Sequence, residues 1–349
     1  MSSCFYRANS CSGLVNKFDF ALKGIDKVWL LEGDNDYIKS LFIGRLCGYF
    51  REHGEVCGYV FSPFDTKKYD AVIMRERGIA IVNADCISNA DDYVHKSINL
   101  DNCEICDEIV RLCTQAKADV ARQYSCVYAL YDNAKTVHDE WENIYVSNMN
   151  INRLNNFCDC TADKILKNAA YKDRAAACIE GFFGAATSGG YVEHIDSITE
   201  NIEKRYFIKG RPGTGKSTFM KRLSRRALEL GYDTELYCCG FDVHSADMVV
   251  IRDLSVCVFD STAPHEKFPE RSNDEILDFY VHAGLSGIDE EHADDLADIT
   301  ARYKRLMSEA AHYMSNADKI IAQTDEKCAA HIDYSALNNL VYDTLHELY

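Results

Sequence analysis

Gly210-Arg211-Pro212-Gly213-Thr214-Gly215-Lys216-Ser217-Thr218 fits the pattern GxxxxGK[ST], a glycine-rich turn closed by a lysine and a hydroxyl. Tyr206-Phe207-Ile208, just before it, reads as a short apolar strand. After it Met220, Leu223, Ala227 and Leu230 recur at steps of three and four, the apolar stripe of a helix. A strand, a glycine turn and a helix N-terminus together aim backbone N–H groups at an anion, and a triphosphate is the anion this spacing suits. A chance match in a loop would lack both flanks. The stretch therefore predicts an α/β fold that binds a nucleoside triphosphate.

Working outward, the chain is written twice. Ile25-Asp26-Lys27-Val28-Trp29-Leu30-Leu31-Glu32-Gly33 precedes Ile202-Glu203-Lys204-Arg205-Tyr206-Phe207-Ile208-Lys209-Gly210 by 177 positions. The same offset pairs Lys39-Ser40 with Lys216-Ser217, Phe64-Asp65 with Phe241-Asp242, and Asp70, Val72 and Arg75 with Asp247, Val249 and Arg252. Near the end of each half it becomes 183, where Leu154-Asn155-Asn156 meets Leu337-Asn338-Asn339. One register held over so long a span marks an internal duplication. The expected organisation is a first domain over 1–168, a connector over 169–182 and a second domain over 183–349, close to the usual domain size. In each half the order of strands and helices, joined by short connections, predicts a parallel sheet covered by helices, with a long helix near the C-terminal end.

The duplication separates fold from chemistry. The first copy reads Gly33-Asp34-Asn35-Asp36-Tyr37-Ile38-Lys39-Ser40. Ile38 stands at the position of Gly215, and Asp34 and Asp36 bring carboxylates to where phosphate oxygens would lie. The first copy is therefore expected to be degenerate, although Lys39 and Ser40 survive. In the second copy the amides from Gly213 to Ser217 are expected to cradle the phosphates. Lys216 would neutralise the β- and γ-oxygens, Thr218 would meet the α-phosphate, and Ser217 would ligate Mg²⁺. The metal carboxylate is expected at Asp260, after the apolar run Val256-Cys257-Val258-Phe259; its counterpart is the uncharged Asn83. His265, opposite Ser88 in the first copy, is a candidate for orienting water or an acceptor hydroxyl, or else a loop hydrogen-bonding residue. Asp242 sits where some small-molecule kinases hold an acceptor, but its match to Asp65 fits a fold role equally. Arg302, Lys304 and Arg305 are candidates for charge stabilisation or a solvated helix face.

Two long helices show apolar spacing over several turns. One runs through Leu296, Ile299, Tyr303, Leu306, Ala310, Tyr313, Ala317 and Ile320. The other runs through Ala116, Val120, Val127, Leu130, Ala134, Val137, Trp141 and Ile144, with Gln123 as its polar interruption. Such stripes fit ordinary core-facing helices or, as a pseudo-symmetric pair, helices that pack lengthwise on each other.

Net charge is −17, which argues against a general nucleic-acid binder. The Lys221, Arg222, Arg225 and Arg226 cluster reads as the solvated face of a helix. No run approaches the roughly 20 apolar residues of a membrane span, and the first residues lack a signal-peptide pattern, so a cytoplasmic location is expected. The sixteen cysteines then read as thiols. Cys103-Glu104-Ile105-Cys106 has metal-ligand spacing, but neither Cys158-Asp159-Cys160 nor the second copy completes a zinc set. Cys238 and Cys239 read as small core residues. Asn16-Lys17-Phe18-Asp19 spells the guanine-recognition pattern in the wrong place for that role.

Phe207–Thr218, Cys239-Gly240-Phe241-Asp242 and Phe259-Asp260-Ser261-Thr262-Ala263-Pro264-His265 resemble an uncharacterised bacterial family of tandem P-loop ATPase-like proteins. The resemblance implies two P-loop domains and ATP with Mg²⁺, and it supplies no substrate. Three functions are carried forward: ATP hydrolysis at a single site in the second half, phosphoryl transfer to a small molecule or nucleotide, and a non-catalytic scaffold that responds to nucleotide. A small-molecule or protein acceptor goes unnamed by the sequence.

Overall fold

A computed structural model describes residues 3–87, 94–103 and 106–349. Ser88, Glu104 and Ile105 lie outside these described residues. The first half runs β1 (Ser3–Cys4), β2 (Arg7–Ser10), β3 (Gly13–Asn16), α1 (Phe18–Ala21), β4 (Lys27–Glu32), α2 (Asp36–Glu52), β5 (Gly58–Phe61), β6 (Tyr69–Met74), β7 (Ile79–Asn83), β8 (Val94–Asn99), α3 (Asp107–Asn148) and α4 (Ile151–Ile165). The second repeats it as β9 (Cys178–Gly181), β10 (Gly184–Thr187), β11 (Gly190–Glu193), α5 (Ile195–Thr199), β12 (Lys204–Lys209), α6 (Lys216–Glu229), β13 (Thr234–Cys238), β14 (Ala246–Ile251), β15 (Val256–Asp260) and β16 (Glu275–Asp278). It ends with the short α7 (Phe279–His282) and α8 (Ile288–Glu291), then α9 (Ala293–Ala329) and α10 (Tyr334–Leu348).

Each half carries a six-stranded sheet, in the orders β1-β5-β6-β7-β4-β8 and β9-β13-β14-β15-β12-β16, which correspond strand for strand. Offset 177 carries β6 onto β14 and β7 onto β15, and offset 183 carries α4 onto α10. The duplication is thus a duplication of structure. The expectation of parallel sheets is corrected: both sheets are mixed. β14 runs antiparallel to β13 and to β15, as β6 does to β5 and β7. The connections explain it. Only Cys239–Ser245 joins β13 to β14, and only Arg252–Ser255 joins β14 to β15. Parallel neighbours need a crossover of a dozen or more residues. β14 is a wholly buried strand, its Asp247 included. β9 pairs with β13, so the second sheet begins inside the expected connector.

The long helices α3 and α9 pack lengthwise, as the paired reading of the stripes has it. The phase of the seam on α3 is shifted, however: Tyr124 and Tyr131 are buried among Val127, Ala310, Met314 and Ala317, whereas Leu130 is only partly covered. Tyr131 Oη lies 4.0 Å from Met314 Sδ, and 131 and 314 are counterparts at offset 183. Phe5 and Phe182, counterparts at offset 177, exchange backbone hydrogen bonds of 2.9 and 2.8 Å. Residues that meet their own counterparts mark a pseudo-twofold axis.

Beyond the seam the terminal helices cross over. Leu154, Cys158, Ala162 and Leu166, of α4 and its C-terminal end, pack with Phe219, Leu223 and Phe279 of the second half. Leu337, Val341 and Leu348 of α10 pack with Phe42, Ile43 and Leu46 of the first half. The basic cluster on α6 takes part in this docking: Arg222 pairs with Asp159 at 2.5 Å and Arg226 with Asp163 at 2.6 Å. Lys17 of the guanine-like motif binds Glu180 across the halves at 2.5 Å, and Asn16 donates to the Cys86 carbonyl. No helix among the described residues is long and apolar enough to cross a membrane.

The crossing has a testable consequence. Leu337→Ala, a buried truncation in the second half of the sequence, should cost about 2–5 kcal/mol. Hydrogen exchange should then show protection lost in α2 while α6 keeps its own. Loss confined to α6 would mean that the exchange of helices is wrong.

Candidate functional site

The glycine loop connects β12 to α6. Gly213 and Gly215 take left-handed φ values of 74° and 79°, a region that side chains resist. A Cβ on Gly210 would lie 2.7 Å from Thr214 Oγ1. Gly215 is the N-cap of α6, and no side chain caps that helix. Its first-turn amides face outward from a positive dipole end. Lys216 Nζ donates to the Arg211 carbonyl at 2.8 Å and lies 3.5 Å from Asp260 Oδ2. Asp260 is brought there by β15, the parallel neighbour of β12. Its other oxygen accepts from Thr262 N at 3.0 Å and Thr262 Oγ1 at 2.6 Å, which fixes the carboxylate. Ser217 Oγ accepts the Ala246 N–H at 2.8 Å and keeps a further lone pair. Thr214 is buried and Thr218 exposed. The loop residues, Lys216, Ser217 and Asp260 therefore converge at the C-terminal ends of the neighbouring inner strands β12 and β15.

The first copy has the same lysine in a different electrostatic setting. Its helix α2 begins early, at Asp36, and Asn35 Oδ1 accepts from Tyr37 N at 3.0 Å and Ile38 N at 3.4 Å. The amides that would face an anion are capped, and Ile38 is buried where Gly215 stands. Lys39 Nζ meets Asn83 Oδ1 at 3.0 Å, Asp85 Oδ2 at 2.9 Å and Asp36 Oδ1 at 3.5 Å. Burial alone would raise the Asp85 carboxyl, but Lys39 and Lys117 hold it well below the usual carboxylate range. Carboxylates of the chain thus occupy the cation that a phosphate would need.

Sequence reasoning missed the cover of the intact loop, which comes from the other half. A Cβ on Gly213 would lie 2.9 Å from the Glu142 carbonyl of α3, and one on Gly215 would lie 3.3 Å from Leu154 of α4. Further along α3, Lys135 lies 3.7 Å from Asp242, and His138 Nδ1 lies 3.8 Å from Glu142. Burial among Phe241, Trp141 and Tyr303 lowers the His138 pKa, more than Glu142 raises it. The signal was hidden in the polar face of the stripe on α3.

His265 is buried, between the rings of Phe183 and Tyr191. Its Nε2 lies 3.6 Å from Asp247 and its Nδ1 4.0 Å from Glu193, so its ion-pair partners are these rather than Asp260. In the first half the counterpart Asp70 is met by Arg7 at 2.6 Å. His265 thus stands in for a structural counter-ion of a buried carboxylate. Burial pushes its pKa down, but Asp247, Asp260 and Glu193 together raise it above the ordinary 6.5. Arg302 is bound to Glu140 of α3 and to Asp298, and Lys304 and Arg305 are exposed. No disulfide links the cysteines. Among the described residues the one His, Cys and acid group with metal-ligand spacing is His138, Asp139 and Glu142, so Cys103 and Cys106 gain no further ligand. No family model, curated protein or solved structure matches the chain.

Two predictions follow from this geometry. Gly287, at φ 95° with open space around it, controls for backbone strain alone. Gly287→Ala should cost roughly 1–2 kcal/mol, and Gly213→Ala measurably more by chemical denaturation, because its Cβ also meets α3. Equal losses would refute the contact. For His265, a raised folded pKa means stabilisation fully present below pH 6.5 and lost as pH rises through the folded value. The urea midpoint of the parent should exceed that of His265→Gln most at pH 6, with the gap narrowing toward pH 9. A gap that widens with pH contradicts the ion pair.

Proposed function

We propose that the second half is a P-loop nucleoside triphosphatase unit that binds one MgATP per chain and hydrolyses it, while the first half is a pseudo-enzyme. The observation that carries this reading is the contrast between the two loops. One has two left-handed glycines, an uncapped helix N-terminus and a lysine 3.5 Å from a strand-end carboxylate. The other has a capped helix and a lysine held by Asp85 and Asp36. The resemblance to tandem P-loop ATPase-like proteins agrees with it.

The residues fit the group they would hold. The amides from Gly213 to Ser217 and Lys216 would take the phosphates, and the free lone pair of Ser217 and the Oδ2 of Asp260 would hold Mg²⁺, directly or through water. Bound there, Mg²⁺ would supply positive charge against the charge that develops on the transferred phosphoryl group. Lys216 keeps the γ-oxygens oriented, and α3 excludes water from one side of the loop. A second reading, phosphoryl transfer to a small acceptor, is favoured by one observation: Asp242, in the connection from β13 to β14, lies 3.7 Å from Lys135, which precedes His138 on α3. Cysteines without a disulfide suit a reducing, cytoplasmic setting.

Titration calorimetry with MgATP should give one site. Lys216→Ala should abolish it and Lys39→Ala leave it unchanged. Asp260→Asn should keep affinity within about tenfold, or 1.4 kcal/mol, and lose turnover by about a hundredfold or more. Following ADP and labelled product together, with and without a metabolite pool, separates hydrolysis from transfer. Two equal sites, or full binding by Lys216→Ala, would end the proposal.

A further inference from the structure

We propose that the first half holds a second ligand site of different chemistry, a cavity of about 420 Å³ that takes a planar aromatic molecule bearing an amino group and no phosphate. It lies over the altered loop, at the ends of β5 and β7. The wall is α3 and the roof is α9 of the other half, which contributes Ile321, Thr324 and Asp325. This cavity does not depend on nucleotide binding at Lys216.

Charge rules out phosphate. Every cation that lines or underlies the cavity is matched by a carboxylate of the chain. Arg7 meets Asp70 at 2.6 Å, Lys68 meets Asp325 at 2.7 Å, and Lys39 and Lys117 meet Asp85 at 2.9 and 3.0 Å. Asp65 is a lining carboxylate with no ion pair among the described residues, so the cavity has acid to spare. An entering anion would face carboxylates that have already claimed the positive charge.

The walls favour a flat ring. Phe64 and Tyr124 stand edge to face at 4.8 Å, and Tyr128 lies 6.0 Å from Tyr124. Ala116 and Val120 leave room beside them. Such aromatic edges and faces suit an inserted ring, and a volume of this size suits a small molecule. Polar groups are placed to orient it. Asn35 is 3% exposed; its oxygen caps α2, and its amide nitrogen has no partner among the described residues. That nitrogen offers a donor to a ring acceptor, and Asp65 accepts from an amine. A buried donor without a partner is unfavourable enough to call for a ligand or water.

The test uses the full chain carrying Lys216→Ala, so that the other loop does not contribute. Saturation-transfer NMR would be run with adenosine, tyramine and AMP as probes. Adenosine, tyramine or both should receive saturation, which separates a neutral nucleoside from a cationic amine as the source. AMP should respond at least about fivefold less than adenosine if charge excludes phosphate. Ala116→Trp on the wall and Thr324→Trp on the roof each fill the cavity from a different half. Whichever is folded by circular dichroism should reduce the signal at least about fivefold. No transfer to either amine, transfer undiminished by filling, or AMP equal to adenosine would overturn the site.

Discussion

The seam between α3 and α9 is the contact on which the rest depends. Its centre is a residue meeting its own counterpart, Tyr131 against Met314, and the sheet edges repeat the arrangement at Phe5 and Phe182. A self-complementary interface satisfies both halves with one set of shapes. Because each long helix crosses this seam, the short helix that follows it emerges over the opposite sheet. α4 then finds Phe219 and Leu223, and α10 finds Phe42 and Leu46. The exposed pairs Arg222–Asp159 and Arg226–Asp163 add direction, but exposed pairs are individually weak. Apolar burial holds the exchange.

That arrangement explains how the two loops can differ while both halves keep one fold. Some features serve the scaffold and occur in both halves. Ser40 and Ser217 each accept an amide from the strand beside them, at 3.0 and 2.8 Å. Gly78 and Ser255 both take a left-handed turn before the same strand, with φ of 63° and 51°. The buried aspartates Asp70 and Asp247 each need a cation, and find Arg7 in one half and His265 in the other. Nothing in the scaffold needs Gly215 or Asp260. Replacing them with Ile38 and Asn83 left Lys39 buried, and Asp85 and Asp36 supply the negative charge that it requires.

What the sequence revealed follows the same division. The repeat, the loop and the strand that carries Asp260 were legible because each is a local pattern checked against a second copy. The antiparallel strand Ala246–Ile251 was not, because Asp247 interrupts its apolar run and its connections are too short to stand out. The seam was legible as a stripe but not in phase. Tyr124 and Tyr131 stand one position after Gln123 and Leu130, so a stripe read through Val120, Val127 and Leu130 runs beside the tyrosines that fill the seam. The crossing of α4 and α10 left no local trace, since a register between copies fixes which residues correspond and not which half they pack against. His265 was judged by its neighbours in sequence, when its partner Asp247 lies on another strand.

The crossing also changes what counts as a site. A Cβ on Gly213 would crowd the Glu142 carbonyl of the first half, and the cavity beside Asn35 is lined by Thr324 and Asp325 of the second. Neither loop is complete within its own half. α3 joins the two places in one rigid element: Tyr124 lines the first-half cavity, and Glu142 sits on the intact loop. At the rise of an α-helix these residues stand roughly 27 Å apart. Sliding α3 at one end moves it at the other, and the close packing of Tyr131 on Met314 resists small displacements between. A sequence-defined half therefore has no independent loop to offer, and the two halves form a single structural unit held by one seam.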